Sequence, residues 1–114
     1  MDVSGLVGEQ LKSVCFVDDF LELGFGEAKI TFFAWPYVLL PDFSVAFGEP
    51  EYRNALCAQL GEMVAKASVE ELDSLTVEFE SGTVIALSLR EEDLEGPEAG
   101  SYSEDGSGLG ELEF

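Results

Sequence analysis

The chain has 114 residues, of which 24 are acidic and 5 basic, giving a formal net charge of −19 with no histidine. That length suits one domain around one core, 1–114, and a charge this negative repels phosphate backbones and anionic lipid surfaces, which argues against nucleic-acid and membrane binding. A hydrophobic fraction of 46% with a mean hydropathy of +0.15 marks a chain able to pack a core, unlike a disordered acidic chain.

Met1 to Gly5 lacks the basic start and apolar run of a signal peptide, and no stretch approaches the roughly 20 apolar residues of a transmembrane helix, so a cytoplasmic protein is expected. The segment from Leu6 to Trp35 then matches the segment from Leu60 to Leu89. Gly8 falls on Gly61, Glu9 on Glu62, Leu11 on Val64, Val14 on Ala67 and Phe16 on Val69 at one constant offset. After a one-residue slip between the polar turns Asp18–Asp19 and Glu70–Asp73, Leu21 falls on Leu75, Leu23 on Val77, Phe25 on Phe79, Ile30 on Val84 and Trp35 on Leu89.

Each copy reads as three antiparallel strands. The first strands are expected near 10–17 and 63–69, with Val14 to Val17 buried on both faces or bulged. Leu21–Phe25 and Leu75–Phe79 alternate apolar with polar, as half-buried strands do. Gly26 and Gly82 supply turns into third strands over 29–35 and 83–89. Pro36 and Pro41 bracket 37–40 as a short edge segment, and 42–49 reads as a connecting loop. Pro50 opens a helix over 50–60, with Tyr52, Leu56, Leu60 and Met63 at helical spacing and Gly61 ending it; Ser4 to Gly8 is its stunted counterpart.

From Glu91 to Phe114 the chain becomes an acidic tail without a basic residue, turning at Gly96–Pro97 and at Asp105–Gly108. A short final strand within 109–114 is expected to dock, because Leu109, Leu112 and Phe114 would otherwise be exposed. Cys15 and Cys57 are isolated in apolar stretches and read as buried, reduced thiols.

The fold class expected is therefore α+β: two copies of a three-stranded β-meander forming a sandwich or partly closed barrel, with one main helix covering an opening.

Several segments together resemble a group of small uncharacterised bacterial proteins: Leu6 to Gly8, Val14 to Asp19, Tyr52 to Cys57 with Gly61, Phe79 to Gly82, and Ser88 to Ala99. The resemblance covers most of the chain and implies a bacterial cytoplasmic origin. It carries no activity over.

Without histidine the commonest general base and transition-metal ligand is missing, and serine- or cysteine-histidine catalysis is impossible. The glycine pairs Gly24/Gly26 and Gly106/Gly108 lack the lysine and the strand-loop-helix setting of a phosphate loop. Carboxylates are abundant, yet Asp18–Asp19, Glu70–Asp73 and Glu104–Asp105 do not have the spacing of a dedicated calcium loop. An enzyme is not expected, and no cofactor or metal ligand is assigned.

Phe32, Phe33, Trp35 and Tyr37 form an aromatic run in which neighbours on a strand point to opposite faces, covered either by sheet and helix or by a partner. The leading functional expectation is an acidic interaction module, of an inhibitory or immunity type, that binds a basic protein through Glu91, Glu92, Asp93, Glu95, Trp35 and Tyr37. The alternatives are a structural homodimer or subunit without ligand, and a carboxylate-based calcium-binding module.

Overall fold

The computed structural model describes residues 3–18, 20–26, 28–70, 73–90, 100–103 and 112–113. A single 3-10 turn, Ser4–Leu6, precedes β1 (Ser13–Val17), β2 (Phe20–Phe25), β3 (Ala28–Phe32), β4 (Tyr37–Leu39) and β5 (Ser44–Val45). Helix α1 (Tyr52–Cys57) leads into β6 (Val64–Glu70), β7 (Ser74–Phe79), β8 (Val84–Ser88), β9 (Gly100–Ser103) and β10 (Leu112–Glu113).

The fold is mostly β, which overturns the α+β expectation. Among the described residues the only α-helix has six residues. It stops because the chain turns after Cys57, and Leu60 and Met63, which a longer helix would place beside Tyr52 and Leu56, are instead exposed at 45% and 41%. Among the described residues no closed barrel forms either; the strands make two separate antiparallel sheets, ordered β1-β2-β3-β9-β10 and β5-β4-β8-β7-β6.

The strands exist because their apolar residues repeat with period two, so each sheet has one apolar face. Leu21, Leu23 and Phe25 on β2 and Leu75, Val77 and Phe79 on β7 are all buried, while the residues between them are half-buried. The inner faces of both sheets share one core. Val3 before the 3-10 turn and Leu6 at its end, and Tyr52, Ala55 and Leu56 on α1, belong to the same cluster.

The two sheets exchange strands. β1, β2 and β3 form one meander and β6, β7 and β8 the other, but β4 leaves the first to pair with β8, and β9 leaves the second to pair with β3. Val38 sits opposite Ile85 in one sheet, as Tyr102 sits opposite Ile30 in the other. β5 and β10 then extend the sheets beyond β4 and β9. The 37–40 segment is therefore not an edge: β4 is paired on both sides, between prolines that need no ladder bond, and the edge is β5. β9 has no counterpart in the sequence expectations, although Tyr102 is 1% exposed.

The sheets meet where Gln10 and Met63 form an antiparallel bridge. Gly8 N–H donates to the Val64 carbonyl and Gly61 N–H to the Leu11 carbonyl, both at 2.8 Å. Leu11 N–H donates to Glu62 at 3.0 Å, and Val64 N–H to Glu9 at 2.9 Å. Exchanging the halves turns each bond of a pair into the other, so the bridge lies on an internal pseudo-twofold axis. The same exchange maps every β1–β2 pair onto a β6–β7 pair, from Ser13↔Gly24 and Lys66↔Glu78 to Val17↔Phe20 and Glu70↔Ser74. Beyond the next turn the second copy is one residue longer. Leu23 pairs with Ile30 and Val77 with Ile85, so Ile30 corresponds to the buried Ile85 and not to Val84.

Gly8 and Gly61 flank the bridge with φ of +87° and +92°. A Cβ at either would meet nothing within 4 Å, so the cost of a side chain there is backbone strain alone. Gly8→Ala and Gly61→Ala should each lower stability by about 1–2 kcal/mol, and by similar amounts, as measured by denaturant unfolding. One position costing nothing would show that its half of the bridge does not hold the left-handed backbone described.

Candidate interaction surface

Tyr52 opens α1, is 2% exposed, and donates its hydroxyl to the Pro36 carbonyl at 2.6 Å. That bond ties the helix to the chain leaving β3 and fixes the neighbouring Trp35. The indole stacks on Phe47 with ring centres 4.2 Å apart and planes inclined by 14°. It lies nearly parallel to Phe16 of β1 at 6.3 Å, and Tyr52 meets both Trp35 and Phe47 edge-on. The Arg53 guanidinium sits 5.2 Å from the centre of the Phe16 ring. Offset-stacked and edge-to-face contacts are the arrangements aromatic quadrupoles favour, and the guanidinium adds a cation–π contact.

This cluster is only partly covered. Trp35 and Phe16 are half-buried, while Phe47 is 57% and Phe43 55% exposed. Phe47 is displayed by a tight turn. Glu49 N–H donates to the Ala46 carbonyl at 3.1 Å, the Glu49 carboxylate accepts Ala46 N–H at 2.9 Å, and Gly48 between them has φ of +98°. The second turn, before β5, is closed by Leu40 N–H donating to the Phe43 carbonyl at 2.8 Å. Asp42, Glu49 and Glu51 are exposed along the same stretch, so the two solvent-facing rings are flanked by carboxylates in sequence.

Trp35 and Tyr37 do not share a face. Trp35 packs against the core, whereas Tyr37, 53% exposed, stands on the outer face of the second sheet because Val38 takes the inward position. There Tyr37 borders an open depression of about 300 Å³ together with Asp73 and Arg90, which are paired at 3.3 Å. Glu91, Glu92, Asp93 and Glu95 lie outside the described residues. Phe32 is fully buried, and Phe33 is 45% exposed and meets Phe20 edge-on at 6.4 Å.

Phe16, Phe43 and Phe47 did not emerge as surface candidates from the sequence. The available signal was two phenylalanines between Pro41 and Pro50, in a stretch too short to bury both. Cys15 and Cys57 are exposed, contrary to expectation: Cys15 takes an outward position of β1, and Cys57 is the last residue of α1. Among the described residues no three Cys, Asp or Glu side chains gather where they could hold a metal ion, and no helix is long and apolar enough to cross a membrane. Comparison with protein families, curated proteins and solved structures finds no match.

Burial holds the Tyr52 phenol protonated well above its ordinary range. In the unfolded chain it ionises near pH ~10 while the folded chain keeps it neutral, so the unfolded state is favoured increasingly as pH rises past that point. Tyr52→Phe should cost about 1–3 kcal/mol at neutral pH by stranding the Pro36 carbonyl, and should remove this part of the alkaline loss. Denaturant unfolding between neutral and alkaline pH, followed by the fluorescence of the single tryptophan, Trp35, checks both. An alkaline slope identical in the two proteins would remove Tyr52 as its source.

Proposed function

We propose that this protein is an acidic interaction module that docks a basic protein, with the Phe47–Trp35 stack receiving a cationic side chain. The observation that carries the reading is Phe47, held in register by Trp35 and Tyr52 yet more than half exposed, and flanked in sequence by exposed carboxylates. Two effects act in succession. The net charge of −19 raises the encounter rate with a basic surface over a range set by ionic strength. At contact, an arginine or lysine placed over the free face of Phe47 gains a cation–π interaction, strengthened as water leaves, while Glu49 and Glu51 offer ionic partners.

The ring geometry accounts for selectivity that charge alone lacks, because a uniformly acidic surface attracts any cation. A partner surface presenting a basic side chain beside an apolar one matches the two rings and their flanking carboxylates along 42–51. Where the covered surface includes an active site, docking inhibits. The acidic stretch Glu91, Glu92, Asp93 and Glu95 is assigned to steering.

A cationic peptide containing arginine and leucine, titrated while Trp35 fluorescence is followed, tests this reading. Binding should weaken steeply with salt, and Phe47→Ala should weaken it roughly three- to thirtyfold. Replacing Glu91, Glu92, Asp93 and Glu95 by glutamine should slow association and leave dissociation unchanged. Equal binding by wild type and Phe47→Ala would reduce the attraction to non-specific charge and overturn the proposal.

A further inference from the structure

Four strands border the two sheets: β1 and β10 in one, β6 and β5 in the other. An edge strand exposes unpaired N–H and C=O groups, and proteins blunt such edges by shortness, bulges or an exposed lysine. β5 and β10 have two residues each. β6 carries a register shift between Val64 and Lys66, and Lys66 is itself exposed. β1 has five regularly paired residues, Ser-Val-Cys-Phe-Val, with neither charge nor proline among them. Cys15 and Val17 are exposed on its outward face.

The hydrogen-bonding phase of this edge follows from its hairpin. Val17 pairs with Phe20 across a two-residue loop, and the pair closing such a loop exchanges both its bonds because no pair lies beyond it. Bonded and non-bonded pairs alternate, so Cys15↔Glu22 is also a bonded pair, while the N–H and C=O groups of Val14 and Phe16 point away from β2. Among the described residues no other backbone group bonds to these.

We infer that β1 pairs antiparallel with β1 of a second copy about a twofold axis through Cys15, joining two five-stranded sheets into one. In this register Val14 of each copy faces Phe16 of the other, so all four outward N–H and C=O groups of each edge are used. The charges agree with it: Lys12 of each copy comes level with Asp18 of the other, at both ends of the contact. Centring the pairing on Val14 or on Phe16 loses both the full set of bonds and this match. The two Cys15 residues become a non-bonded cross-strand pair, whose Cα separation of about 4.5 Å suits a disulfide. Phe16 also belongs to the aromatic cluster, so the dimer sets two such clusters on either side of its axis.

This inference is independent of the proposed basic partner, and salt separates them. Self-association of a chain of charge −19 strengthens as salt screens the repulsion, whereas binding to a basic protein weakens. The test is sedimentation of the full chain up to a few hundred micromolar, at low salt and in 0.5 M sodium chloride, under reducing conditions. Wild type and Cys57→Ser should form a dimer favoured by salt. Cys15→Lys, which gains Glu22 as an in-chain partner but sets two lysines against each other across the axis, should weaken it at least about tenfold. Under mild oxidation Cys57→Ser should cross-link through Cys15 faster than Cys15→Ser does through Cys57. A monomer throughout, a dimer indifferent to Cys15→Lys, or cross-linking of equal speed through either cysteine overturns the inference.

Discussion

The backbone pairing of Gln10 with Met63 is the contact around which the rest of the molecule is arranged. Its bonds come in two equivalent sets, one from each half of the chain, and this equivalence continues outward through both hairpins. A three-stranded meander has one apolar face and an open edge beside its third strand, and is marginal alone. Here each meander buries its face against the other, and β4 and β9 close the third-strand edges reciprocally. Neither sheet is complete until both halves of the chain are present. The core is therefore built largely from contacts distant in sequence, a topology that folds cooperatively and slowly.

Against this symmetric frame the differences between the halves become informative. The 3-10 turn Ser4–Leu6 matches Cys57–Gln59, where the chain leaves the six-residue helix, and among the described residues only the second half has that helix, which brings a tyrosine and an arginine to the sheet edge beside it. Gln59 occupies the position of Leu6; both are buried, and the glutamine is satisfied by accepting from Ser81 and donating to Ala55. Lys66, Ser68 and Glu70 face outward from β6 where Ser13, Cys15 and Val17 face outward from β1. Symmetry accounts for stability in both halves equally. The aromatic cluster and the uncharged edge exist on one side only, so the internal symmetry does not account for them.

How much of this was legible in the sequence depended on how many apolar residues each element carries. Leu21, Leu23 and Phe25 on β2 and Leu75, Val77 and Phe79 on β7 alternate strictly, and the matching Gly8–Glu9 and Gly61–Glu62 suggest the two copies. β9 has one apolar residue, Tyr102, in a stretch of glycine and serine directly after a run of acids, so composition pointed to a tail. The helix was overextended because Tyr52, Leu56, Leu60 and Met63 satisfy helical spacing, and spacing cannot show that the bridge at Met63 demands an extended chain. In the sequence Trp35 and Tyr37 belong to one aromatic run. Pro36 lies between them, β3 has ended, and the chain crosses to the other sheet, so the two rings part. The partners of Trp35, Phe16 on β1 and Phe47 in the turn before α1, are not paired with it by any local spacing, and only the fold brings the three together.

The charge and the exposed apolar groups have to be considered together. Displayed aromatic rings and an unguarded strand edge would promote aggregation in a chain near neutrality. At −19 every copy repels every other over about a Debye length of ~8–10 Å, a barrier that random hydrophobic encounters do not offset. Hydrogen bonds, stacking and ion pairs act only at contact, so association is confined to approaches that neutralise the local charge or align enough short-range bonds at once. In the proposed function a basic surface meets the first condition at the Phe47 stack; in the inferred dimer an edge whose terminal charges are complementary to themselves meets the second at β1. Acidity thus does more than keep the chain in solution. It raises the threshold for contact, and the proposed docking at Phe47 and the inferred pairing at β1 are the two ways across it.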